Sequence, residues 1–110
     1  MKKINRLLKN KDFKNVLDAK KSVACGEFVV YVKNNEFSCL RAGISVSSKI
    51  GNSVVRHKIK RQISEMITEL YDMNVCKDLV IIVRKKYLES DFHGNKENLR
   101  KMLNKINERW

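Results

Sequence analysis

Apolar positions along the chain alternate between helical and strand spacing, and the changes of period mark out the elements. Phe13, Val16 and Leu17 recur at i, i+3 and i+4, which predicts a short amphipathic helix capped by Asn10 and running to about Ala19. From Ser22 to Lys33 the residues Val23, Phe28, Val29, Val30, Tyr31 and Val32 are β-branched or aromatic, with a break near Gly26. They predict one bent strand or two short ones. Asn34-Asn35-Glu36 reads as a hairpin connection, after which Leu40, Ala42, Ile44 and Val46 alternate with Arg41, Gly43, Ser45 and Ser47 in the clearest strand of the chain. A long helix follows from about Ser53 to Met73, with Val55, Ile59, Ile63, Met66, Ile67 and Leu70 gathered into one stripe. Asp78–Arg84 is continuously apolar between its charged ends, the mark of a buried strand, expected to lie parallel to its neighbour across the helix. Leu99, Met102, Leu103 and Ile106 predict a last helix from about Asn95 to Arg109.

The resulting order is α-β-β-β-α-β-α, an α+β two-layer sandwich with helices packed on one mixed sheet. No proline, repeat or low-complexity tract marks a linker, so residues 1–110 read as a single domain, of which 1–9 form a flexible basic arm. His93 falls in an expected loop. Trp110 is expected to dock against the fold.

Composition then narrows the partner. With 43% hydrophobic and 33% charged residues the chain is globular, but its formal charge of +12 is an excess that a polyanion would neutralise. No apolar run is long enough to span a bilayer or form a signal peptide, which favours nucleic acid over membrane and a cytoplasmic location. Cys25, Cys39 and Cys76 lack CxxC spacing and paired histidines, so they read as reduced, buried and structural. No carboxylate cluster, Cys/His pair or Ser/His/Asp grouping suggests a nuclease site borne by the protein.

The charge is concentrated in Lys49-Ile-Gly-Asn-Ser-Val-Val-Arg-His-Lys-Ile-Lys-Arg61, which holds five Lys or Arg residues and no Asp or Glu. Gly51 and Asn52 permit a close approach with a positive φ. The free N–H groups at the helix start suit an oxyanion, and Arg56, Lys60 and Arg61 line the exposed flank, so the stretch reads as a phosphate-docking surface.

The segment Val46–Arg61, spelled VSSKIGNSVVRHKIKR, resembles the arginine-rich signature of the bacterial ribonuclease P protein subunit. The likeness extends through Asn5-Arg6-Leu7, Asn10–Phe13, Ser22–Ala24, Phe28–Tyr31 and Arg41–Ser45, and fades after Arg84. It implies a monomeric protein in a one-to-one complex with a catalytic RNA, assisting removal of the 5′ leader from precursor tRNA. Catalysis is then expected from the RNA, with magnesium held mainly by that RNA. Lys49, Gly51, Asn52, Arg56, His57, Lys60 and Arg61 would contact the catalytic RNA, and Phe13, Val29 and Tyr31 would face the leader. The resemblance also implies the ribosomal protein S5 domain 2-like fold with a left-handed strand–helix–strand crossover, although general handedness rules favour the right hand in roughly 98% of cases.

Three departures bear on individual contacts: His57 replaces the family's usual asparagine, Ser64 a frequent arginine, and Cys25-Gly26-Glu27 stands where more basic or polar residues are common. Two other classes fit the charge: a ribosomal or generic RNA-binding module without a processing role, and a self-sufficient nuclease, for which the sequence offers no site.

Overall fold

The continuous apolar run of residues 79–83 has to be covered at both edges and on both faces, and the fold is built around that requirement. The structure, a computed structural model, describes residues 1–110 apart from the side chain of Lys3. In chain order the elements are α1 (Asn10–Asp18), β1 (Ser22–Ala24), β2 (Phe28–Asn34), β3 (Arg41–Ser45), α2 (Ser53–Leu70), β4 (Lys77–Val83) and α3 (Phe92–Arg109), with 3₁₀ turns at Lys3–Asn5 and Lys85–Glu89.

The sheet order is β1-β2-β4-β3. β4 runs antiparallel to β2 and parallel to β3, so α2 is the crossover between β3 and β4. This corrects the hairpin expected at Asn34–Glu36, because β4 lies between β2 and β3. Asn35 redirects the chain across the end of β4: its side chain accepts from Phe37 N–H at 3.0 Å and donates to Asp78 at 2.7 Å. The run interrupted near Gly26 resolves into two strands, β1 and β2, paired as Val23 opposite Val30.

One face of the sheet carries the main core. Phe28, Val30 and Val32 of β2 and Leu79, Ile81 and Val83 of β4 pack with Ile59, Ile63, Met66 and Ile67 of α2 and Leu99, Met102, Leu103 and Ile106 of α3. At about 1.5–3 kcal/mol for each large side chain buried, this sheet-on-helix layer dominates the favourable side of folding. The opposite face holds a smaller cluster in which Leu7, Val16 and Val80 are buried and Phe13, Leu17, Tyr31 and Ile82 pack beside them. The helices thus divide between the two faces, α1 alone on one and α2 with α3 on the other, and nine-residue α1 leaves part of its face open.

Within the expected arm of residues 1–9, residues 5–7 pack on the domain. Asn5 and Leu7 are buried, Asn5 Nδ2 donates to Leu40 O at 2.7 Å, and Leu7 N–H donates to Ala42 O at 3.0 Å. Arg6 bridges Ala42 in parallel, so the segment covers the otherwise bare edge of β3, which is the physical reason it is ordered. Helix starts also shift. Lys9, not Asn10, precedes α1, and its carbonyl accepts from Asp12 and Phe13. α3 begins at Phe92 because Asp91 caps it, accepting from Gly94 N–H at 2.7 Å, which puts His93 on the first helical turn rather than in a loop. Trp110 is half-buried against the core, as expected. The cysteines are free, but Cys25 and Cys39 are only half-buried and Cys76 is exposed, so the expectation of burial fails. All three lie in connections between elements, and of them Cys25 packs against the main core.

Candidate nucleic-acid interface

The chain enters α2 through a turn in which Ser47 takes Ile50 N–H on its carbonyl and Lys49 N–H on its hydroxyl, at 3.0 and 3.2 Å. Asn52 caps the helix, its Oδ1 accepting from Val55 N–H at 3.0 Å. One donor left open for an anion by the sequence is therefore already satisfied. Gly51 has no positive φ. It is needed for space, since a Cβ there would lie 2.8 Å from Val55 Cγ1.

Helical geometry then separates anchor from flank. Ile59, Ile63, Met66 and Ile67 are buried, whereas Lys49, His57, Lys60 and Arg61 are exposed. Arg56 is different from the position assigned to it: it is half-buried, and its Nε is enclosed without a hydrogen-bond partner. It sits where the apolar stripe meets the cationic flank.

His57, Lys60 and Arg61 form one wall of a groove of about 790 Å³, together with Ser64, Glu65, Thr68 and Glu69 farther along α2. The N-terminal segment supplies the facing wall through Met1, Arg6, Leu7 and Leu8, and Phe13 with residues Ala42–Ile44 supplies the floor. Arg6 and Leu8 were not singled out by the sequence reading, because only the pairing of residues 5–7 with β3 brings them opposite α2. The basic Arg6 and the exposed, apolar Leu8 were the visible signals.

Ion pairing decides what this surface attracts. Among the described residues the ion pairs join Arg41 to Asp12 and Asp78, Lys96 to Glu69, and Arg100 to Glu97. None involves Lys49, Arg56, Lys58, Lys60 or Arg61, so no direct ion pair takes up the charge of this stretch. A solvated polyanion can replace counterions there at little desolvation cost.

Strand register defines the second surface. On the α1 side of the sheet, Ser22, Tyr31, Val80 and Gly43 form one row and Ala24, Val29, Ile82 and Ser45 the next. Phe13 lies directly over Gly43, where a Cβ would come within 2.3 Å of Phe13 Cζ. Tyr31 and Val29 are half-buried, and the row containing Val29 is open at Ala24 and Ser45. Phe13, Val29 and Tyr31 therefore share a face, with Phe13 also reaching the groove beside α2.

A third feature lies where β3 and β4 begin. Asp78 is 5% exposed and accepts from Arg41 Nε at 2.9 Å, Arg41 Nη2 at 2.6 Å and Asn35 Nδ2 at 2.7 Å. The hydrogen bonds to Asp78 raise the pKa of Arg41 above its ordinary value, with burial acting in the opposite direction. Its guanidinium carbon also lies 4.2 Å from the centre of the Phe37 ring. This network was not foreseen. The alternation showed Arg41 on the polar face of its strand, but not that Asp78 would stand beside it.

Among the described residues no three His, Cys, Asp or Glu side chains converge to hold a metal ion, so they provide no such donor set for magnesium. Among the same residues no helix is long and apolar enough to cross a membrane.

A small α+β domain that presents a cationic helix flank with no ion pairs beside a half-open sheet face belongs to the class of basic nucleic-acid-binding domains. Comparison with known proteins makes that class specific. The model of the family described as Ribonuclease P matches residues 1–107. The ribonuclease P protein component of Bacillus cereus is 46% identical over 101 residues, spanning 90% of this chain and 88% of that protein. Its counterpart in Mycoplasma capricolum is 39% identical over 108 residues, spanning 96% and 99%. Among solved structures, a Staphylococcus aureus RNase P protein mutant, described as defective in mRNA degradation activity, aligns with a TM-score of 0.88 at 36% identity, covering 96% of this chain and 90% of that one. The Thermotoga maritima RNase P protein aligns at 0.77 and 30% identity, covering 89% and 94%. The chain belongs to the ribonuclease P protein family. It is a protein subunit of the endoribonuclease that matures tRNA 5′ ends, and its partner in that ribonucleoprotein is RNA.

Proposed function

We propose that this chain binds the catalytic RNA through the flank of α2 and the 5′ leader of precursor tRNA across the open sheet face, as a cytoplasmic monomer in a one-to-one complex. The observation that carries this reading is the juxtaposition of two unlike surfaces at Phe13: a cationic helix flank with no ion pairs on one side, and the Tyr31 and Val29 rows on the other. Structured RNA offers phosphates to the first. An unpaired leader offers bases that can stack on the aromatic rings of the second.

In this reading Lys49, His57, Lys60 and Arg61 meet phosphates directly. Arg56 directs its half-buried guanidinium from the edge of the core. Asn52 and Gly51 act through the backbone, by capping α2 and allowing the turn to close on Val55. Magnesium remains with the RNA, which supplies the cleavage chemistry.

The test is reconstitution. Added to a catalytic ribonuclease P RNA and precursor tRNA at low magnesium, the protein should raise cleavage, and absence of any gain would overturn the reading. Tyr31→Ala should lower affinity for leader-bearing precursor by about tenfold, the scale of one lost base–aromatic stack, and leave mature tRNA unchanged. Equal losses on both would remove Tyr31 from the leader surface.

A further inference from the structure

The Arg41–Asp78 pair lies outside both RNA surfaces, yet its contacts run to the helix that carries Phe13. Arg41 and Gly43 are two residues apart on the same face of β3, and Asp12 and Phe13 are adjacent on α1. One pair meets through charge, Arg41 Nη1 to Asp12 Oδ2 at 3.7 Å. The other meets through the Phe13 ring lying on Gly43. Together they fix both the height and the lengthwise position of α1 over the sheet.

Such fixing is needed. α1 has nine residues and no side-chain N-cap bond, and a helix that short does not persist in water without tertiary contacts. Its apolar contacts, through Val16 and Leu17, resist separation from the sheet but do little to resist sliding along it. A fork-shaped guanidinium held on a buried carboxylate is a rigid post against which sliding can be stopped.

We propose that Arg41 is a positioning residue for the leader: anchored on Asp78, it engages Asp12 and so sets where α1 places Phe13 at the cleft. The proposal rests on the reading that this cleft receives the leader. It concerns how the cleft is held to shape.

Arg41→Gln would leave Asp78 buried and uncompensated and can fail by unfolding. Asp12→Asn is the cleaner variant, because it leaves the Arg41–Asp78 pair in place and removes only what Asp12 supplies, the link to Arg41 and a charge in the first turn of α1. Its effect has a sign that separates positioning from bulk electrostatics: removing an acid beside a polyanion would by itself tighten binding, whereas releasing α1 weakens it. In holoenzyme reconstituted from the full chain and the catalytic RNA, Asp12→Asn should reduce affinity for leader-bearing precursor relative to mature tRNA by about fivefold. Asp12→Glu, whose longer carboxylate still reaches Arg41, should restore most of that loss. In a Phe13→Ala background Asp12→Asn should cost nothing further, because the ring it positions is gone. Unchanged or tighter leader binding by Asp12→Asn, or additive losses in the double variant, would overturn the proposal while leaving the cleft intact. If Phe13→Ala itself leaves leader discrimination unchanged, the cleft reading fails and the proposal falls with it.

Discussion

Gly43 shows how much one missing side chain can decide. It sits under the Phe13 ring, and alanine there would place a Cβ 2.3 Å from Cζ. Gly43→Ala should cost about 1–2 kcal/mol in thermal or denaturant unfolding, the lower part of the overpacking range because Phe13 can turn toward the groove. It should also weaken leader-bearing substrate by moving the ring. Tyr87 gives the corresponding prediction for pH. Its ring packs edge-on against Phe28 at 5.6 Å between centroids, its hydroxyl donates to Gln62 at 2.8 Å, and burial raises its pKa from 10.0 to about 12. A phenol whose folded-state pKa is raised gives stability that is complete below the unfolded value and lost as pH climbs through the folded one. Stability should therefore fall between pH 10.0 and about 12. Urea melts across that window should show a shallower fall for Tyr87→Phe, at the cost near neutral pH of about 1 kcal/mol for the lost hydrogen bond.

At the level of elements, α2 works because its two periodic patterns are nearly independent. The apolar stripe anchors it, and the flank of His57, Lys60 and Arg61 can be changed without entering the core. Replacing Lys60 and Arg61 with Ala should weaken assembly with the catalytic RNA by about tenfold or more at moderate salt and leave the circular dichroism spectrum unchanged. Adding Arg56→Ala should weaken assembly further and also lower the melting temperature, because Arg56 is half-buried and its aliphatic stem packs. A melting temperature unaffected by Arg56→Ala would return that residue to the exposed flank. The stripe and the cationic flank were legible in the sequence, since helical periodicity is local, whereas the capping role of Asn52 came only with the structure. The start of α3 was not, because Asp91 and Gly94 had to be recognised as a cap before any apolar period begins.

Across the whole molecule, the +12 charge and the acid-free stretch Lys49–Arg61 make salt the sensitive variable. If about five phosphates are neutralised, affinity for the catalytic RNA should fall roughly 10²–10³-fold over a fourfold rise in monovalent salt. A nearly flat response in a filter-binding or fluorescence titration would show that charge is not what holds the complex.

The elements, their order, the buried stripe of α2 and its basic flank were readable from local spacing, because each depends on residues within one segment. The spelling of residues 46–61, joined to the matches upstream of it, suggested the family. Everything that depends on which segments become neighbours emerges only from the fold. β4 lies between β2 and β3, residues 5–7 close the edge of β3, Arg6 faces α2 across the groove, and Arg41 meets Asp78 in register. Strand order and register are long-range choices, set by how the continuous apolar run of β4 is covered on all sides, and no local period encodes them.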